Sequence, residues 1–523
     1  MKFNKIFSSL QSQNMKYSLV LIVIWILLRI FLEGIFEEPH RIGYTSFSYP
    51  ALLMYFLHFP LFYLSAFLFI TIIISLLIGE DIRTTTRINT LGLGLIILVP
   101  LIDALRYGGC YITYPLRLER YFLHFLNPFV TLIDIGISEG QRIVVVLICF
   151  LSGIYGYLRT KKIFRAIIII LTVFGAILFW GGLPTILAQN HPETVYQNGG
   201  ILNSDTQKFC GIYLILFIVL FGVYNYFLDR RNFSLLLASI RWERMAFYGL
   251  VALMGFFLAN RVEQIYQAEV PLNILGLFLI FLGPALGFWT LQILNDFYDQ
   301  NIDSISQRDN PLLLGITKGY YRNAGIILSL ITIAIALILS YPAFLIIKVF
   351  LILGVVYSLP PLRLKRLPFI STFVLALAVL FMFAFGWSIV YQDMAFQKIP
   401  KNFIYALLIG VTIGFSAKDI NDIAGDRQNG IITLPILFYK DASPWDRLPY
   451  SLLLSFSFVP FAFFMPRTWV GTVIASMLTF FYSLLKKRPK EIAYWAILYG
   501  FSLYLFLHWW FTKGLLIPGN DCF

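Results

Sequence analysis

The chain has 523 residues, of which 59% are hydrophobic and 13% are charged. Soluble globular domains carry about 25% charged residues, so this composition excludes a large soluble protein. The formal net charge of +13 does not indicate a nucleic-acid partner, because Lys and Arg are spread over short segments between apolar runs. The sequence therefore predicts an all-α polytopic membrane protein that contacts membrane lipids and no nucleic acid.

The apolar runs predict about fifteen transmembrane helices, because a helix needs about 20 mostly apolar residues to cross a bilayer. Six lie in the first part of the chain, at 17–36, 50–79, 90–105, 142–158, 163–182 and 208–228. Nine follow, at 245–266, 273–297, 323–340, 343–358, 369–391, 403–420, 448–465, 468–485 and 491–512. The first run is too long for a secretory signal, so we interpret it as an uncleaved first span.

Basic residues are unevenly distributed between alternate connections. In the second part of the chain, the connections predicted to lie outside contain only Arg261, Lys398, Lys401, Arg467 and Lys513. The rest of the Lys and Arg in that part fall mostly in the other set, which the positive-inside rule assigns to the cytoplasm. We therefore expect a multi-pass protein of the cell (inner) membrane, with its N-terminus cytoplasmic and its C-terminus outside.

A basic stretch separates two predicted domains. Residues 1–228 form a membrane domain of about six helices whose sequence indicates no function. Residues 229–244 form a basic cytoplasmic connector, and 245–523 form a second domain of about nine helices. No sequence feature assigns an oligomeric state.

Two acidic clusters occur at the predicted inside ends of two spans. Asp296, Asp299 and Asp303 are spaced i, i+3, i+7, and Asn295 precedes them. The second cluster repeats this spacing in Asp419, Asp422 and Asp426. Positions with this spacing share one face of a helix, so we expect two acidic faces across a common space.

Six carboxylates in one space repel one another unless cations lie between them. Mg²⁺ suits such a site, since it takes a few carboxylate oxygens and completes its shell with water and substrate phosphates. The neighbouring inside connections carry basic residues, among them Arg308, Lys318, Lys365 and Lys418. Metal ions together with such cations are suited to hold a diphosphate whose apolar tail lies between the helices.

These motifs resemble those of the UbiA superfamily of intramembrane prenyltransferases. The first family motif, N-D-x-x-D-x-x-x-D, is matched by Asn295, Asp296, Asp299 and Asp303. The second, K-D-x-x-D-x-x-G-D followed by G-x-x-T-L-P, is matched by Lys418, Asp419, Asp422, Gly425, Asp426, Gly430, Thr433, Leu434 and Pro435. A loop between them is similar to the family's Tyr-Ser…Pro…Lys loop at Tyr357, Ser358, Pro361 and Lys365. The resemblance covers roughly 240–512.

The resemblance implies a nine-helix bundle around a central cavity and two Mg²⁺ ions that hold a polyprenyl diphosphate. It implies metal-binding roles, through the diphosphate, for Asn295, Asp296, Asp299, Asp303, Asp419, Asp422 and Asp426. Of these, Asp296, Asp299, Asp422 and Asp426 are the predicted catalytic residues. The diphosphate is expected to contact Arg308, Lys318, Tyr357, Lys365 and Lys418.

Two positions need separate comment. After the first motif the family often has Asp-Arg-Pro, whereas this chain has Asn310 in place of Arg. Arg308 or Lys318 would then substitute for that guanidinium. Arg241 loosely resembles the family's Arg near the acceptor pocket.

The sequence leaves the acceptor open. The leading hypothesis is Mg²⁺-dependent transfer of a prenyl group to an aromatic quinone-type precursor, and an alternative acceptor is a glycerol- or sugar-phosphate in membrane lipid synthesis. A cation-coupled transporter is an alternative of another class, since acidic residues in membrane segments also bind transported cations. Against transport, both acidic clusters are predicted at one membrane face and not at the midplane.

Overall fold

The computed structural model describes residues 15–36, 48–108, 118–126, 137–188, 200–263, 271–305, 309–392, 396–420, 422–428, 430–440, 443–487 and 489–512. Over these ranges the chain is helical and contains no strand. Fourteen of the described helices are long and apolar enough to cross a membrane. The predicted all-α polytopic class is thereby confirmed.

The chain divides into two compact units, which are Met1–Arg230 with Val270–Leu272 and Arg231–Glu269 with Asn273–Phe523. We call them the N-terminal and the C-terminal unit. The N-terminal unit contains α1 Met15–Phe36, α2 Tyr49–Ile78, α3 Ile82–Tyr107, α4 Leu118–Leu126, α5 Glu139–Thr160, α6 Ile163–Ala188 and α7 Asp205–Leu228. The helix α8, Arg230–Ala238, follows.

The C-terminal unit is built from longer helices joined by short ones. Its first part contains α9 Trp242–Glu263, α10 Pro271–Tyr298, α11 Gln300–Ile305, α12 Lys318–Leu339, α13 Tyr341–Ser358 and α14 Ile370–Tyr391. Its second part contains α15 Lys401–Gly414, α16 Ile423–Gln428, α17 Leu434–Phe438, α18 Pro444–Ser455, α19 Val459–Phe464, α20 Trp469–Leu485 and α21 Glu491–Thr512.

The N-terminal unit is held by an apolar core and a few buried hydrogen bonds. Val145 and Cys149 of α5 pack against Ile169 and Val173 of α6. In α6, the indole of Trp180 donates to Ser65 Oγ at 2.8 Å, and its backbone carbonyl accepts from the Tyr213 hydroxyl at 2.8 Å. These bonds join three long helices where lipid offers no alternative hydrogen-bonding partner.

The predicted span 403–420 differs from the others. Its α-helix, Lys401–Gly414, is only 14 residues long and continues as a 3₁₀ turn over Phe415–Asp419. It is not among the fourteen helices long enough to span by themselves. At 1.5 Å per residue the α part is about 21 Å long, and the 3₁₀ turn, at 2.0 Å per residue, adds about 10 Å. The tighter turn thus lengthens the segment to about the 30 Å of a hydrocarbon core.

The closest helix contact in the C-terminal unit joins α9 and α14 through glycines. A Cβ added at Gly386 would lie 1.8 Å from the carbonyl oxygen of Ala252, and one at Gly255 would lie 2.0 Å from that of Phe383. Small residues allow such backbone approach, which is a main source of helix association where lipid surrounds the bundle. This contact holds the middle of α9, where Val251 and Met254 line the cavity described below.

We expect Gly386→Ala to destabilise the C-terminal unit, because the new methyl group meets backbone and cannot be relieved by a rotamer change. Overpacking of this kind costs about 1–3 kcal/mol or more. Thermal unfolding of the detergent-solubilised protein measures the effect. Gly500→Ala is the matched control, since a Cβ there meets no atom within 4 Å; equal melting temperatures for the two variants would contradict the prediction.

Candidate active site

A cavity of about 250 Å³ lies inside the C-terminal unit and contains most of the predicted site residues. Charged side chains from seven segments line it. Six carboxylates and four basic side chains leave a formal excess of two negative charges. The carboxylates are Asp299, Asp303, Asp419, Asp422, Asp426 and Glu491, and the basic side chains are Arg241, Arg244, Lys365 and Lys418. The remaining wall is largely apolar and aromatic. The cavity therefore combines a charged region with space for an apolar chain.

The two acidic motifs approach each other because short helices follow each span. After Tyr298 the backbone bonds Asp299 N–H to Asn295 O at 3.0 Å and Asp303 N–H to Asp299 O at 2.8 Å carry the helical path from α10 into α11. The second motif runs from the 3₁₀ turn into α16, and α11 packs against α16. Residues of both motifs therefore line the same cavity.

Asp299 is the most strongly compensated carboxylate of the first motif. It forms an ion pair with Lys365, and Arg363 Nη2 donates to the same oxygen, Oδ1, at 3.1 Å. Asn295 Nδ2 donates to its other oxygen at 2.5 Å. Burial lowers the pKa of Lys365, although the Asp299 carboxylate opposes this shift. The loop between the motifs thus brings two cations onto the central aspartate.

Asp296 lies differently from the rest of its motif. It is fully buried and is not among the residues that line the cavity. Arg241 Nη2 donates to its Oδ1 at 3.1 Å and the Tyr321 hydroxyl to its Oδ2 at 2.7 Å. The i, i+3, i+7 spacing alone predicts that Asp296 points into the same space as Asp299 and Asp303. Arg241 and Tyr321 instead enclose it, so its contacts are those of a residue that fixes the cavity wall.

Asn310, where the family often has Arg, binds the chain itself. Its Nδ2 donates to the Asp296 carbonyl at 2.9 Å and to Asp303 Oδ2 at 2.7 Å, and its Oδ1 accepts from the Leu312 N–H at 2.9 Å. The side chain is completely buried. Asn310 therefore ties the loop to both ends of the first motif and does not replace a diphosphate contact.

Two carboxylates of the second motif differ in how far nearby cations offset their negative charge. Lys418 Nζ donates to Asp419 Oδ1 at 2.6 Å and to the Tyr357 hydroxyl at 3.0 Å. Burial, with the nearby Asp419 and Asp422 carboxylates, raises the pKa of Asp426 to about 7. Lys418 and Lys365 act in the opposite direction but do not offset the carboxylates, so this end of the cavity favours binding of a further cation.

The donor set fits Mg²⁺ bound together with a phosphate ligand. Within the described ranges no three carboxylates are close enough to hold a metal ion by themselves. Mg²⁺ usually takes only one or two carboxylates and fills its shell with water and substrate oxygens. Oxygen donors on facing helices, with excess negative charge, meet that requirement.

The other predicted residues are divided between the cavity and other places. Tyr357, Lys365 and Lys418 line it. Lys318 is exposed at the start of α12 and does not line it. Arg308 lies outside the described residues.

Sequence reasoning missed the pair Arg244 and Glu491. Arg244 donates from Nε and Nη2 to Glu491 Oε1 at 3.1 and 2.5 Å, and Trp495 Nε1 donates to the same oxygen at 2.9 Å. The pair joins the first and last long helices of the unit across 247 positions of sequence. A carboxylate in the first turn of a helix ordinarily indicates interaction with the helix dipole, so the sequence offered no signal for this contact.

Comparison with known proteins identifies the family of the chain. The profile of the UbiA prenyltransferase family matches residues 250–512, and the chain belongs to that family. It is 32% identical over 199 residues to the digeranylgeranylglyceryl phosphate synthase of Pyrococcus horikoshii, which is 37% of this chain and 65% of that protein. It is 26% identical over 172 residues to the chloroplastic chlorophyll synthase of Arabidopsis thaliana, or 31% of this chain and 43% of that one.

A solved structure also aligns with part of the chain. It is a UbiA homologue from Archaeoglobus fulgidus bound to GPP and Mg²⁺, with a TM-score of 0.36 and 20% identity. The alignment covers 54% of this chain and 98% of that one.

Replacing Asn310 tests its bridging role. Asn310→Ala leaves buried partners without hydrogen bonds, at a cost of about 1–3 kcal/mol. Asn310→Asp is expected to be worse, because a second carboxylate then faces Asp303. Thermal unfolding measures the stability of the two variants. Asp309→Ala, a substitution at the exposed neighbouring residue, is the control. An Asn310→Asp protein as stable as the control would show that the bridge is unimportant.

Metal affinity is expected to depend on pH through Asp426. Its raised pKa means that the proton-bound form dominates below about pH 7, and Mg²⁺ must displace that proton. Binding should therefore strengthen as pH rises, by about tenfold between pH 6 and pH 8 for one such group. Calorimetric titration of the purified protein with Mg²⁺ alone measures this. In Asp426→Asn the dependence should flatten; an unchanged slope would assign the proton to another group.

Proposed function

We propose that the C-terminal unit catalyses Mg²⁺-dependent transfer of a prenyl group from a polyprenyl diphosphate to an acceptor inside the membrane. The observation that carries this proposal is the convergence of Asp299, Asp303, Asp422 and Asp426 with Lys365 in one cavity whose uncharged wall is largely apolar. A diphosphate with a hydrocarbon tail has the matching distribution of charge and apolar surface. Membership of the UbiA prenyltransferase family supports the reaction class.

The carboxylates that line the cavity are the proposed metal-binding residues. Asp299 and Asp303 would act from one side and Asp419, Asp422 and Asp426 from the other. Mg²⁺ bound there would neutralise charge that develops on the departing diphosphate. Asp296, which was predicted as a direct ligand, is better placed to position the motif through Arg241 and Tyr321.

Basic side chains in the cavity, with Arg363 beside it, hold the diphosphate in this proposal. Lys365 and Arg363 compensate Asp299, and Lys418 compensates Asp419. Phosphate oxygens offer the same cations charge-assisted hydrogen bonds. In this proposal the cations move from the aspartates to the phosphate oxygens. Tyr357 supports this, because its hydroxyl accepts a hydrogen bond from Lys418 and keeps the ammonium group in the cavity.

The aromatic wall is suited to the prenyl tail. Tyr248 stacks on Phe288 with ring centroids 5.2 Å apart, and both line the cavity with Phe247 and Phe350. Such rings exclude water from a reactive allylic cation. Their faces also stabilise positive charge and offer no nucleophile to it.

For the acceptor we now favour the alternative, a prenylated glycerol phosphate, over an aromatic ring. Six of the relatives that match are digeranylgeranylglyceryl phosphate synthases, at 27 to 32% identity. The chain spans 65% of the first of them, so this remains a proposal for the chain. Arg241 and Arg244, three positions apart on the cavity wall, are the proposed contacts for the acceptor's phosphate.

The acceptor is tested with purified protein, Mg²⁺ and labelled geranylgeranyl diphosphate. Geranylgeranylglyceryl phosphate should give a labelled product, and 4-hydroxybenzoate should give at least tenfold less. Preferential labelling of the aromatic probe would restore the first hypothesis. Mg²⁺-dependent flux of a cation across proteoliposomes, without transfer to any acceptor, would favour the transporter.

The assignment of the aspartates is tested by Asp299→Asn and Asp422→Asn. Each change removes a charge that the metal requires, and we expect turnover to fall by about 100-fold or more, as for other groups that stabilise charge in the transition state. Asp309→Asn removes the same charge from an exposed site beside the first motif, and it should retain activity. Wild-type turnover in either motif variant would exclude that aspartate from catalysis.

A further inference from the structure

The N-terminal unit contains a second cavity, of about 1110 Å³. Each of its helices α1 to α7 contributes side chains to the lining, so the cavity is central to the unit and is not a groove on one lipid-facing side. Protein interiors are close-packed and rarely contain voids larger than a water molecule. A space of this size is instead in the range of ligand pockets, or slightly above it.

The cavity is long and mostly apolar. Along α5 its lining extends from Gln141 to Tyr155, which is about 21 Å of helix at 1.5 Å per residue. Aromatic rings such as Phe62, Phe125 and Trp180 form much of the wall. An extended hydrocarbon chain matches this shape better than a compact ring system.

Charge is confined to one end of the cavity. Among the described lining residues only Arg29, Glu33 and Asp205 are charged. Arg29 and Glu33 lie in the last half of α1, and Asp205 begins α7; the antiparallel course of successive helices places these positions on the same side of the unit. His58, in the first third of α2, and Gln141, near the start of α5, add polar atoms at that end.

The charges at this end of the cavity restrict which head groups a ligand can have. Arg29 Nη1 pairs with Glu33 at 3.1 Å, and both side chains are at least nine-tenths buried. Arg29 is the one Arg or Lys among the described lining residues, and Glu33 neutralises it. Asp205 is exposed, and the buried Lys208 beside it does not line the cavity. A phosphate or carboxylate head group would lose its hydration without gaining a counter-charge, which is strongly unfavourable.

We propose that this cavity binds a long-chain lipid with an uncharged, hydrogen-bonding head group, such as an alcohol, placed at the end marked by Arg29 and Glu33. The chain occupies the apolar length towards Tyr155. This site is distinct in chemistry from the acidic, metal-binding cavity of the C-terminal unit and does not rest on the function proposed for that unit.

Binding of tritiated oleyl alcohol and geranylgeraniol to the full-length protein in detergent tests the proposal, with tritiated oleate as the anionic probe of matched length. Both alcohols should bind, and oleate should bind at least tenfold more weakly than oleyl alcohol. Ala66→Phe and Ser152→Phe each add bulk to the lining and should weaken binding of the alcohols at least tenfold. Gly175→Phe is the control, because it adds bulk on an exposed face where a Cβ meets no atom within 4 Å.

Glu33→Gln removes the carboxylate that pairs with Arg29 and should narrow the preference for alcohol over oleate. A melting temperature in detergent equal to that of Gly175→Phe confirms that a variant is folded, and the two cavity-filling positions serve as alternatives if one is not. Equal binding by Ala66→Phe or Ser152→Phe and the control would overturn the proposal. So would a preference for oleate, or recovery of ordinary phospholipid alone from a cavity that excludes both alcohols.

Discussion

Repulsion among carboxylates at the end of an apolar bundle is the constraint on which the C-terminal unit depends. Two unit charges 4 Å apart interact by about 4 kcal/mol at an effective dielectric constant of 20, so five aspartates in one cavity require compensation. The structure compensates them singly: Asp299 by Lys365 and Arg363, and Asp419 by Lys418. Asp303 accepts from the neutral amide of Asn310, and Asp426 holds its proton to about pH 7. The cations that compensate the site in this state are those that a diphosphate would engage.

Features of the helices around the cavity bring charged residues of opposite sign together in it. The 3₁₀ turn Phe415–Asp419 lengthens a short span and delivers Lys418 and Asp419 to the cavity, and the short helix α11 carries Asp303 opposite α16. Glycine contacts between α9 and α14 allow a close approach of the two helices beside Val251 and Met254 of the cavity wall. Asp296, Arg241, Tyr321 and Asn310 then form a buried polar group that fixes the first motif from behind.

Long apolar runs and motif spacing made most of the fold and the core of the site predictable. A run of 20 apolar residues has few alternatives to a spanning helix, and matched i, i+3, i+7 carboxylates indicated two facing acidic helices. The orientation of Asp296 was not predictable, because it depends on Arg241 and Tyr321, which are remote in sequence. The Arg244–Glu491 pair is equally non-local. The length of the span at 403–420 depends on a change of helix type, which hydrophobicity does not indicate.

The central claim is that the two aspartate motifs hold a metal-bound diphosphate and that Lys365 moves from Asp299 to the phosphate. A structure of the protein with Mg²⁺ and a non-hydrolysable geranylgeranyl thiodiphosphate tests it most directly. The account predicts Mg²⁺ between the motifs, about 2.0–2.1 Å from carboxylate and phosphate oxygens, with Lys365 Nζ bonded to the diphosphate. Diphosphate density away from Asp299 and Asp422, or Lys365 still paired with Asp299, would contradict it.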